Sequence, residues 1–409
     1  YNDYGYFFCN FPSEVYMKLS LQYEMQRPEL DDHKVITETM EQCILADEVG
    51  FDKVWFVEHH FLTGFSASPS PDIFFGALSQ RTERIRLGLG VVVLPYHHPV
   101  QVAERVAMLD HISNGRVEFG TGRSAPYELD AFGVDPRESR GRWEEALSMI
   151  PDIWRSDWYS HEGQFWTVPE RQILPKPYQN PHPPISVAAF QPSTYELAAA
   201  KGIGVLAFGS SAPELMQPHI EKYREDIKKA NPVGDTVNNS WISSTIGITH
   251  ENSRKGRDLG AESLKGFFAP GRPYVQGQKD IYDQLLSRWG GSEEVPDDLK
   301  QNFSRYVDDI DDENTSVDGQ QLDYSGGGAI SHKVWDGLTP DTLCERAVTI
   351  SGNPDDCIAA LKKHEATGID EMMVMMQLDT VTHEQVMDSI RLWGKYIIPE
   401  FQKSASKVE

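Results

Sequence analysis

The sequence is poor in cysteine and in basic side chains, and it has no long apolar run. Only four cysteines occur among 409 residues, at Cys9, Cys43, Cys344 and Cys357, and none forms a C-x-x-C pair. This spacing argues against a disulfide framework and against a zinc knuckle. A reducing cytoplasm is therefore the expected compartment.

Basic residues are outnumbered, with 38 Lys and Arg against 62 Asp and Glu and a net charge of -24. Such a charge repels nucleic acid backbones and anionic lipid surfaces, so neither is an expected partner. No segment reaches the roughly 18–20 apolar residues that a membrane span needs. The N-terminal residues also lack the basic-then-apolar pattern of a signal peptide.

What the sequence does contain is an alternation of short apolar runs with amphipathic stretches, which indicates βα units around a parallel sheet. Eight strands are predicted, at 4–11, 53–60, 85–94, 116–123, 184–190, 204–209, 240–249 and 371–377. Eight units favour a closed (β/α)8 barrel over an open Rossmann-type sheet. Residues 1–409 are expected to form one such barrel domain.

Helical spacing places three sets of apolar residues on common faces. These sets are Ile36, Met40 and Cys43; Trp143, Leu147, Ile150 and Trp154; and Val386, Ile390, Trp393 and Ile397. Two regions lack this periodicity. Residues 157–183 are predicted to be a long ordered loop, and residues 270–335 an insertion before the last βα unit. The insertion is rich in carboxylates, so it is either a solvated surface segment or a substrate lid.

Polar residues end three of the predicted strands, where a barrel places its active site. These ends are Glu58-His59-His60, the segment leading to His97-His98, and Gly120-Thr121-Gly122-Arg123. Histidine beside carboxylate suggests a metal site, but successive strand residues point to opposite faces, so His59 and His60 cannot both face the barrel axis. For each histidine, a hydrogen-bonded packing role remains open.

Residues 120–125 match the dinucleotide fingerprint G-x-G-x-x-G/A. The fingerprint must open a helix, whereas Pro126 and a polar segment follow here, so a Rossmann site is disfavoured. Gly120 and Gly122 instead permit a flat ligand to approach the backbone, with Arg123 as an anion clamp. Glycines in the third strand, such as Gly88, indicate a bulge or a platform for a planar ring.

An anion site is indicated after the fifth strand, where Phe190-Gln191-Pro192-Ser193-Thr194 leads into a helix. Backbone N–H groups and hydroxyls at a helix N-terminus favour an anion, and Arg123 would lie at the neighbouring strand end. Simple helix capping is the alternative.

Several blocks, in this order, are similar to the bacterial luciferase-like flavin monooxygenase family. They are Glu58-His59-His60-Phe61, Gly90-Val91-Val92-Val93-Leu94-Pro95 with His98-Pro99-Val100, and Asp110-His111-Ile112-Ser113-Asn114-Gly115-Arg116. Order and spacing agree from about residue 4 to residue 210, and Gly368-Ile369-Asp370 with the following helix resembles the family's last unit.

The resemblance implies reduced FMN across the mouth of the barrel, bound by Glu58, Gly90, Val91, Gly122, Arg123, Phe190, Gln191, Ser193 and Thr194. The ring would rest on the third strand, at a cis peptide between Gly90 and Val91, and Arg123, Ser193 and Thr194 would hold the phosphate. His59 would act as acid or base, supported by Glu58. Gly122 and Phe190 replace a cysteine and a glutamate of luciferase itself, so light emission from an aldehyde is not expected.

The resemblance further implies a two-component monooxygenase. A separate NAD(P)H:flavin reductase would supply reduced FMN, O2 would add at the flavin C4a position, and the (hydro)peroxide would oxygenate a small hydrophobic molecule. The alternatives are hydride transfer with the deazaflavin F420, a metal-dependent hydrolase using Glu58, His59 and His98, and a non-catalytic flavin-binding subunit. A homodimer is expected through helices of the second and third units, where Val102, Val106 and Leu109 share a face. Ordinary packing on the barrel is the alternative for these three residues.

Overall fold

Eight parallel strands form a closed barrel at the centre of the molecule. The computed structural model describes residues 7–8, 16–26, 29, 31–207, 210–268, 273–296, 299, 316–317, 320–321, 323–324 and 338–405. The barrel strands are β2 Lys18–Tyr23, β3 Lys53–Phe56, β4 Arg86–Val93, β5 Val117–Gly122, β8 Ile185–Ala189, β9 Gly204–Ala207, β12 Trp241–Ile246 and β16 Glu371–Met375. Around the barrel they lie in the order β12-β16-β2-β3-β4-β5-β8-β9. The (β/α)8 prediction is confirmed.

Seven of the eight predicted strands overlap barrel strands, and the prediction for the first is wrong. Of residues 4–11, only Phe7–Phe8 is described; it forms β1, which pairs with β11 (Thr236–Val237) outside the barrel. The first barrel strand is β2, which pairs with β3 and β16. Polar residues alternate with apolar ones along β2. Ser20 and Gln22 are tolerated inside the barrel because they make buried hydrogen bonds with Glu371 and Ser244. They interrupt the apolar signal on which the prediction depended.

Helices surround the barrel, and helices such as those of Trp143 and Val386 bury an apolar face against it. Their bounds are α1 Asp32–Val49, α2 Pro71–Ser79, α3 Pro99–Ile112, α4 Pro126–Ala131, α5 Ser139–Arg155, α6 Pro192–Ala200, α7 Pro213–Asp226, α8 Ser253–Phe267, α9 Pro273–Trp289, α10 Pro340–Glu345, α11 Pro354–Glu365, α12 His383–Leu392 and α13 Ile398–Ala405. None of the helices in the described part of the chain has the length and apolar character of a membrane span.

Two of the three predicted helix faces are buried as expected, those of Trp143 and of Val386 with their partners. In α1 the buried face contains Val35, Thr39 and Ala46. Of the predicted set, Cys43 is fully buried and Met40 packs partly buried against the core, as expected, whereas Ile36 is 41% exposed, so the prediction was wrong for Ile36 alone. The cause is a polar residue, Thr39, that occupies a fully buried place on the inner face.

The predicted loop at 157–183 contains an antiparallel hairpin of β6 (Tyr159–Glu162) and β7 (Thr167–Arg171). The Glu145 carboxylate of α5 accepts the backbone N–H groups of residues 164–166 at its turn. The hairpin is therefore held by a side chain distant in sequence, which the local pattern does not reveal. Beyond α8 and α9, the insertion contributes the short strands β13 Ser316–Val317, β14 Gln320–Gln321 and β15 Asp323–Tyr324; β10 (Ser210–Ser211) pairs with β15.

Charged side chains and one tryptophan fill the amino-terminal half of the barrel. Lys53 lies 2.8 Å from Glu371 and 3.2 Å from Glu118, and the indole N–H of Trp55 donates to Glu371 at 2.7 Å. A Cβ atom at Gly88 would lie 2.3 Å from the Trp55 ring. The space beside Gly88 thus belongs to Trp55. Of the two alternatives for the glycines of this strand, the bulge is present, because the pairing of β4 with β5 shifts register between Leu89 and Val92.

Gly88→Ala is expected to destabilise the protein by about 1–3 kcal/mol, because the new methyl group would overpack the buried Trp55 ring. The measurement is the free energy of unfolding in urea. Gly76→Ala is the matched control, since a Cβ there lies 3.7 Å from Ile112 at ordinary contact distance. A replacement inside helix α2 should be neutral or stabilising. Equal stability of the Gly88 variant and the original protein would contradict the packing described.

Candidate active site

His59 lies just beyond the carboxyl end of β3, and the side chain that holds it is Glu128. The His59 Nδ1–H donates to Glu128 Oε1 at 3.2 Å, and the backbone N–H of His60 donates to the same oxygen at 2.7 Å. The Ser124 hydroxyl donates to the other oxygen, Oε2. Glu128 is fully buried on α4, the short helix that follows β5. Through this carboxylate the ends of two barrel strands fix the position of one imidazole.

The charge of His59 is set by the acidic groups around it. Burial lowers its pKa, but the charge of Glu128 and its hydrogen bond, together with the charges of Glu24 and Glu58, raise the pKa to about 9. A group with a raised pKa is protonated below that value and loses its charge as the pH rises through it. At neutral pH His59 is therefore an imidazolium, which suits a proton donor or a partner for an anion.

Glu58 acts on His59 through its charge, as expected, while its hydrogen bonds go to other groups. Its Oε2 accepts the backbone N–H of Val93 at 2.9 Å, and its Oε1 lies 2.5 Å from His97 Nε2. Tyr96 and His60 also direct polar atoms at Oε1. Burial raises the pKa of Glu58, and the hydrogen bonds from His60, His97 and Val93 lower it to about 2. Glu58 thus ties the end of β3 to the turn after β4, while the hydrogen bond to His59 comes from Glu128.

His98 is not part of this cluster. Its ring Nδ1 accepts the backbone N–H of Val100 at 3.2 Å and caps α3. The geometry assumed for a metal site of Glu58, His59 and His98 is therefore absent. Within the part of the chain that the structure describes, no group of three or more His, Cys, Asp or Glu side chains is arranged to hold a metal ion.

Strand β4 is distorted beside this cluster. The Gly90–Val91 peptide bond is cis, and the pairing of β4 with β5 shifts register between Leu89 and Val92. A Cβ at Gly122 would lie 2.5 Å from Val91 Cγ2, and one at Gly120 would lie 2.3 Å from the Leu89 carbonyl oxygen. The glycines of β5 therefore make room for the distorted strand β4. The expectation that they also admit a flat ligand to the backbone stays a prediction.

The predicted anion site lies at the adjacent ends of β5 and β8. Thr121 pairs with Val187, so Arg123 and residues 190–191 follow neighbouring strand ends. Helix α6 begins at Pro192, and its N-cap residue Gln191 makes no side-chain capping bond. Ser193 is exposed and Thr194 half-buried in its first turn. A guanidinium, two hydroxyls and a helix N-terminus without a side-chain cap are donors that suit a phosphate monoester.

Two acidic residues of the site were missed from the sequence. Glu24 directly follows β2, and it was missed because that strand was placed too early in the chain. Glu128 lies in α4, within a segment interpreted as a polar loop. The signal for α4 was present: Pro126 occupies the first helical position, and Glu128 lies three residues after Ala125, where its carboxylate accepts the Ala125 N–H as the acidic residue of a capping box does.

Comparison with known proteins identifies the family of this chain. The model of the "Luciferase-like monooxygenase" family matches residues 17–371. The chain belongs to this family.

Among its relatives, the oxygenase component of flavin-dependent trigonelline monooxygenase from Acinetobacter baylyi is 35% identical over 226 residues, which cover 52% of this chain and 62% of that protein. Limonene 1,2-monooxygenase from Rhodococcus erythropolis is 35% identical over 56% of this chain and 60% of its own length. The match thus spans about three fifths of either relative. 4-hydroxyprotoasukamycin monooxygenase from Streptomyces nodosus is 26% identical over 88% of this chain and 86% of its own.

Solved structures share the fold. The monooxygenase RslO1 from Streptomyces bottropensis has a TM-score of 0.69 and 24% identity, covering 94% of this chain and all of its own. The oxygenating constituent of 3,6-diketocamphane monooxygenase from Pseudomonas putida, solved in complex with FMN, has a TM-score of 0.69, 19% identity and coverages of 94% and 99%. The F420-dependent tetrahydromethanopterin reductase from Methanopyrus kandleri has a TM-score of 0.61, 17% identity and coverages of 94% and 99%.

Glu128→Gln is expected to lower the pKa of His59 by roughly 1–3 pH units, because it removes the opposite charge nearest the ring. Titration of the imidazole carbon-bound protons by NMR, assigned with a His59→Gln variant, measures this pKa, expected at about 9 in the original protein. His364 serves as an internal control, since burial lowers its pKa to about 4 and Glu128 is not among the groups that shift it. An unchanged His59 midpoint would contradict the pairing with Glu128.

Proposed function

We propose that this protein is a flavin-dependent monooxygenase that uses reduced FMN and O2 to insert one oxygen atom into a small hydrophobic molecule. The observation that carries the proposal is the charged imidazole of His59, which follows barrel strand β3, in the same barrel in which Arg123 and the start of α6 follow the neighbouring strands β5 and β8. We propose that Arg123, Ser193 and Thr194 form an anion site there. Membership of the luciferase-like monooxygenase family and the flavin dependence named for one relative support it.

The donors at the ends of β5 and β8 fit the phosphate of FMN. Arg123 would pair with the phosphate charge, and the hydroxyls of Ser193 and Thr194 would donate to its oxygens. The segment around Gly90 and Val91 would carry the ring system, next to Gly122, Phe190 and Gln191. When bound, reduced flavin supplies the electrons and activates O2.

His59 would keep its proton on the imidazole at neutral pH and present it to the reacting molecules. Its position is fixed by Glu128, and its charge would stabilise negative charge that develops on flavin or oxygen. Glu58 would act at a distance, by holding the turn after β4 and adding a negative charge near the ring. The proton donor and the two carboxylates Glu58 and Glu128 thus come from the second and fourth barrel units, the turn that Glu58 holds comes from the third, and Glu24 comes from the first.

Water exclusion is the task we assign to an apolar cluster beside the site. The cluster is formed by Leu62, Phe65 and Tyr127, with Phe267 and Ile281 packed against them. Ile281 belongs to α9 of the insertion, which is also joined to α4 by the Arg288–Asp130 ion pair at 2.6 Å. We propose on this basis that α9 acts as a lid over the substrate pocket. A dry site lengthens the life of reactive intermediates and strengthens each charge interaction within it.

F420 chemistry is a second candidate, since F420-dependent enzymes are among the structures that share the fold. Their identities of 17% and 16% support only the fold. The flavin-dependent relative is 35% identical, and FMN is therefore the preferred cofactor.

A separate NAD(P)H:flavin reductase would supply the reduced FMN. The cytoplasm is the proposed compartment, and the described cysteines suit it: Cys43, Cys344 and Cys357 are buried free thiols.

We also propose a homodimer, through a different set of residues from the one expected. Val102, Val106 and Leu109 are at most 2% exposed and pack on the barrel, so they cannot contact a second copy. Exposed apolar side chains lie on the same pair of helices instead: Ile73 of α2 is 75% exposed, and Met108 and Ile112 of α3 are 52% and 41% exposed. The two helices pack against each other, so these side chains offer one apolar surface.

The function is tested with reduced FMN generated by a generic flavin reductase and NADH, a panel of small hydrophobic compounds, and 18O2. We expect oxygen uptake coupled to a product that carries one 18O atom. His59→Ala should lower turnover by about 10²–10⁴-fold, because the positioned acid is lost, while FMN binding is retained. Anaerobic turnover with F420 and no oxygen uptake with FMN would contradict the proposal.

The dimer is tested by light scattering after size exclusion. The original protein should run at twice the 46.2 kDa chain mass, and the double variant Ile73→Glu/Met108→Glu at the single mass. Ile36→Glu is the matched control, because this side chain is also 41% exposed but lies on α1. If the double variant remains dimeric, the surface of α2 and α3 is not the interface.

A further inference from the structure

Glu24 is a buried carboxylate at the site that the proposed function does not use. It follows β2, its side chain is 7% exposed, and its Oε2 lies 3.8 Å from His59 Nε2. This Oε2 is fully enclosed and has no hydrogen-bond partner among the described residues. A carboxylate oxygen that is buried without a hydrogen-bond donor lowers the stability of the folded protein. The presence of Glu24 at this position therefore needs a physical reason.

The position of Glu24 supplies that reason. His59 Nδ1 is hydrogen-bonded to Glu128, whereas the opposite edge of the ring, Nε2, faces Glu24. At 3.8 Å the contact with Glu24 is an ion pair without a hydrogen bond, because a hydrogen bond between nitrogen and oxygen needs about 3.2 Å or less. The Nε2–H therefore stays available to a reacting molecule while a negative charge remains beside it.

Among the described residues, the groups that raise the pKa of His59 are three carboxylates. The charged groups that raise its pKa are Glu128 from α4, Glu24 from the end of β2 and Glu58 from its own segment. The Glu58 carboxylate is engaged by His97, His60 and Val93. Glu24 is thus the carboxylate that faces Nε2 with an oxygen free of hydrogen bonds among the described residues.

We propose that Glu24 is a positioning residue that holds His59 in its charged form from the Nε2 side without consuming the Nε2 proton. The ring is clamped between two carboxylates, one that accepts its Nδ1–H and one that only balances its charge. This inference rests on the role proposed for His59. The pKa of Glu24 is raised, because burial and the charge of Glu128 outweigh the charge of His59, which lowers it. The imidazolium of His59 is thus the group that favours the ionised form of Glu24.

The test is the pKa of His59 in the purified full-length protein without flavin, followed by NMR. Glu24→Gln keeps the shape and removes the charge, and we expect the His59 midpoint to fall by about one pH unit or more. Glu24→Asp keeps the charge but moves it one methylene further from the His59 ring. The His59 midpoint in this variant should therefore lie between those of the original protein and of Glu24→Gln. Circular dichroism checks that each variant is folded, and the two variants together keep the test informative if one fails to fold.

A second readout separates a positioning role from a structural one. Activity that requires the protonated ring should be lost with rising pH at a lower pH in Glu24→Gln, while the rate at low pH changes less. Glu145→Gln is the matched control: Glu145 pairs with His161 at 3.1 Å, away from the barrel mouth, and its replacement should leave the His59 midpoint unchanged.

An unchanged His59 midpoint in folded Glu24→Gln overturns the inference, and so does a loss of activity without a change in midpoint, since Glu24 would then act directly. These results are distinct from failure of the proposed function. That failure would appear as full activity of His59→Ala, whatever the midpoint in the Glu24 variants.

Discussion

The candidate site depends on one buried carboxylate, that of Glu128. A carboxylate that is removed from water must be surrounded by donors, and these come from three places: the His59 ring, the backbone of His60 and the Ser124 hydroxyl. The requirement brings the segment after β3 and the segment after β5 together. It also gives His59 its charge, because the hydrogen bond and the negative charge act on the same ring.

The barrel divides into two halves with different tasks. The amino-terminal half is closed by the ion pairs of Lys53 with Glu118 and Glu371 and by the Trp55 ring, so it is a packed core. The carboxyl half carries the distorted strand β4, the imidazolium and the anion donors. Since parallel strands end at the same rim, the loops after six of them can contribute to one site without changing the core.

The sequence predicted those features that depend on local patterns. Seven strands, the face of α5 and the cis bond between Gly90 and Val91 could be anticipated from apolar runs, helical spacing or the family resemblance. Features that depend on distant partners could not. Strand β2 was missed because Ser20 and Gln22 face polar groups inside the barrel, and with it Glu24 was missed. Gly88 suggested a bulge or a ligand, and only the folded barrel shows that Trp55 occupies the space beside it.

The central claim is that the ends of β5 and β8 hold the phosphate of a reduced flavin. The most direct measurement is an anaerobic titration of the protein with reduced FMN and, separately, with reduced riboflavin, which lacks the phosphate. FMN should bind at least about tenfold more tightly, a difference of about 1.4 kcal/mol. Arg123→Ala should remove most of that preference while riboflavin binding changes little. Equal affinities for FMN and riboflavin in the original protein would contradict the account.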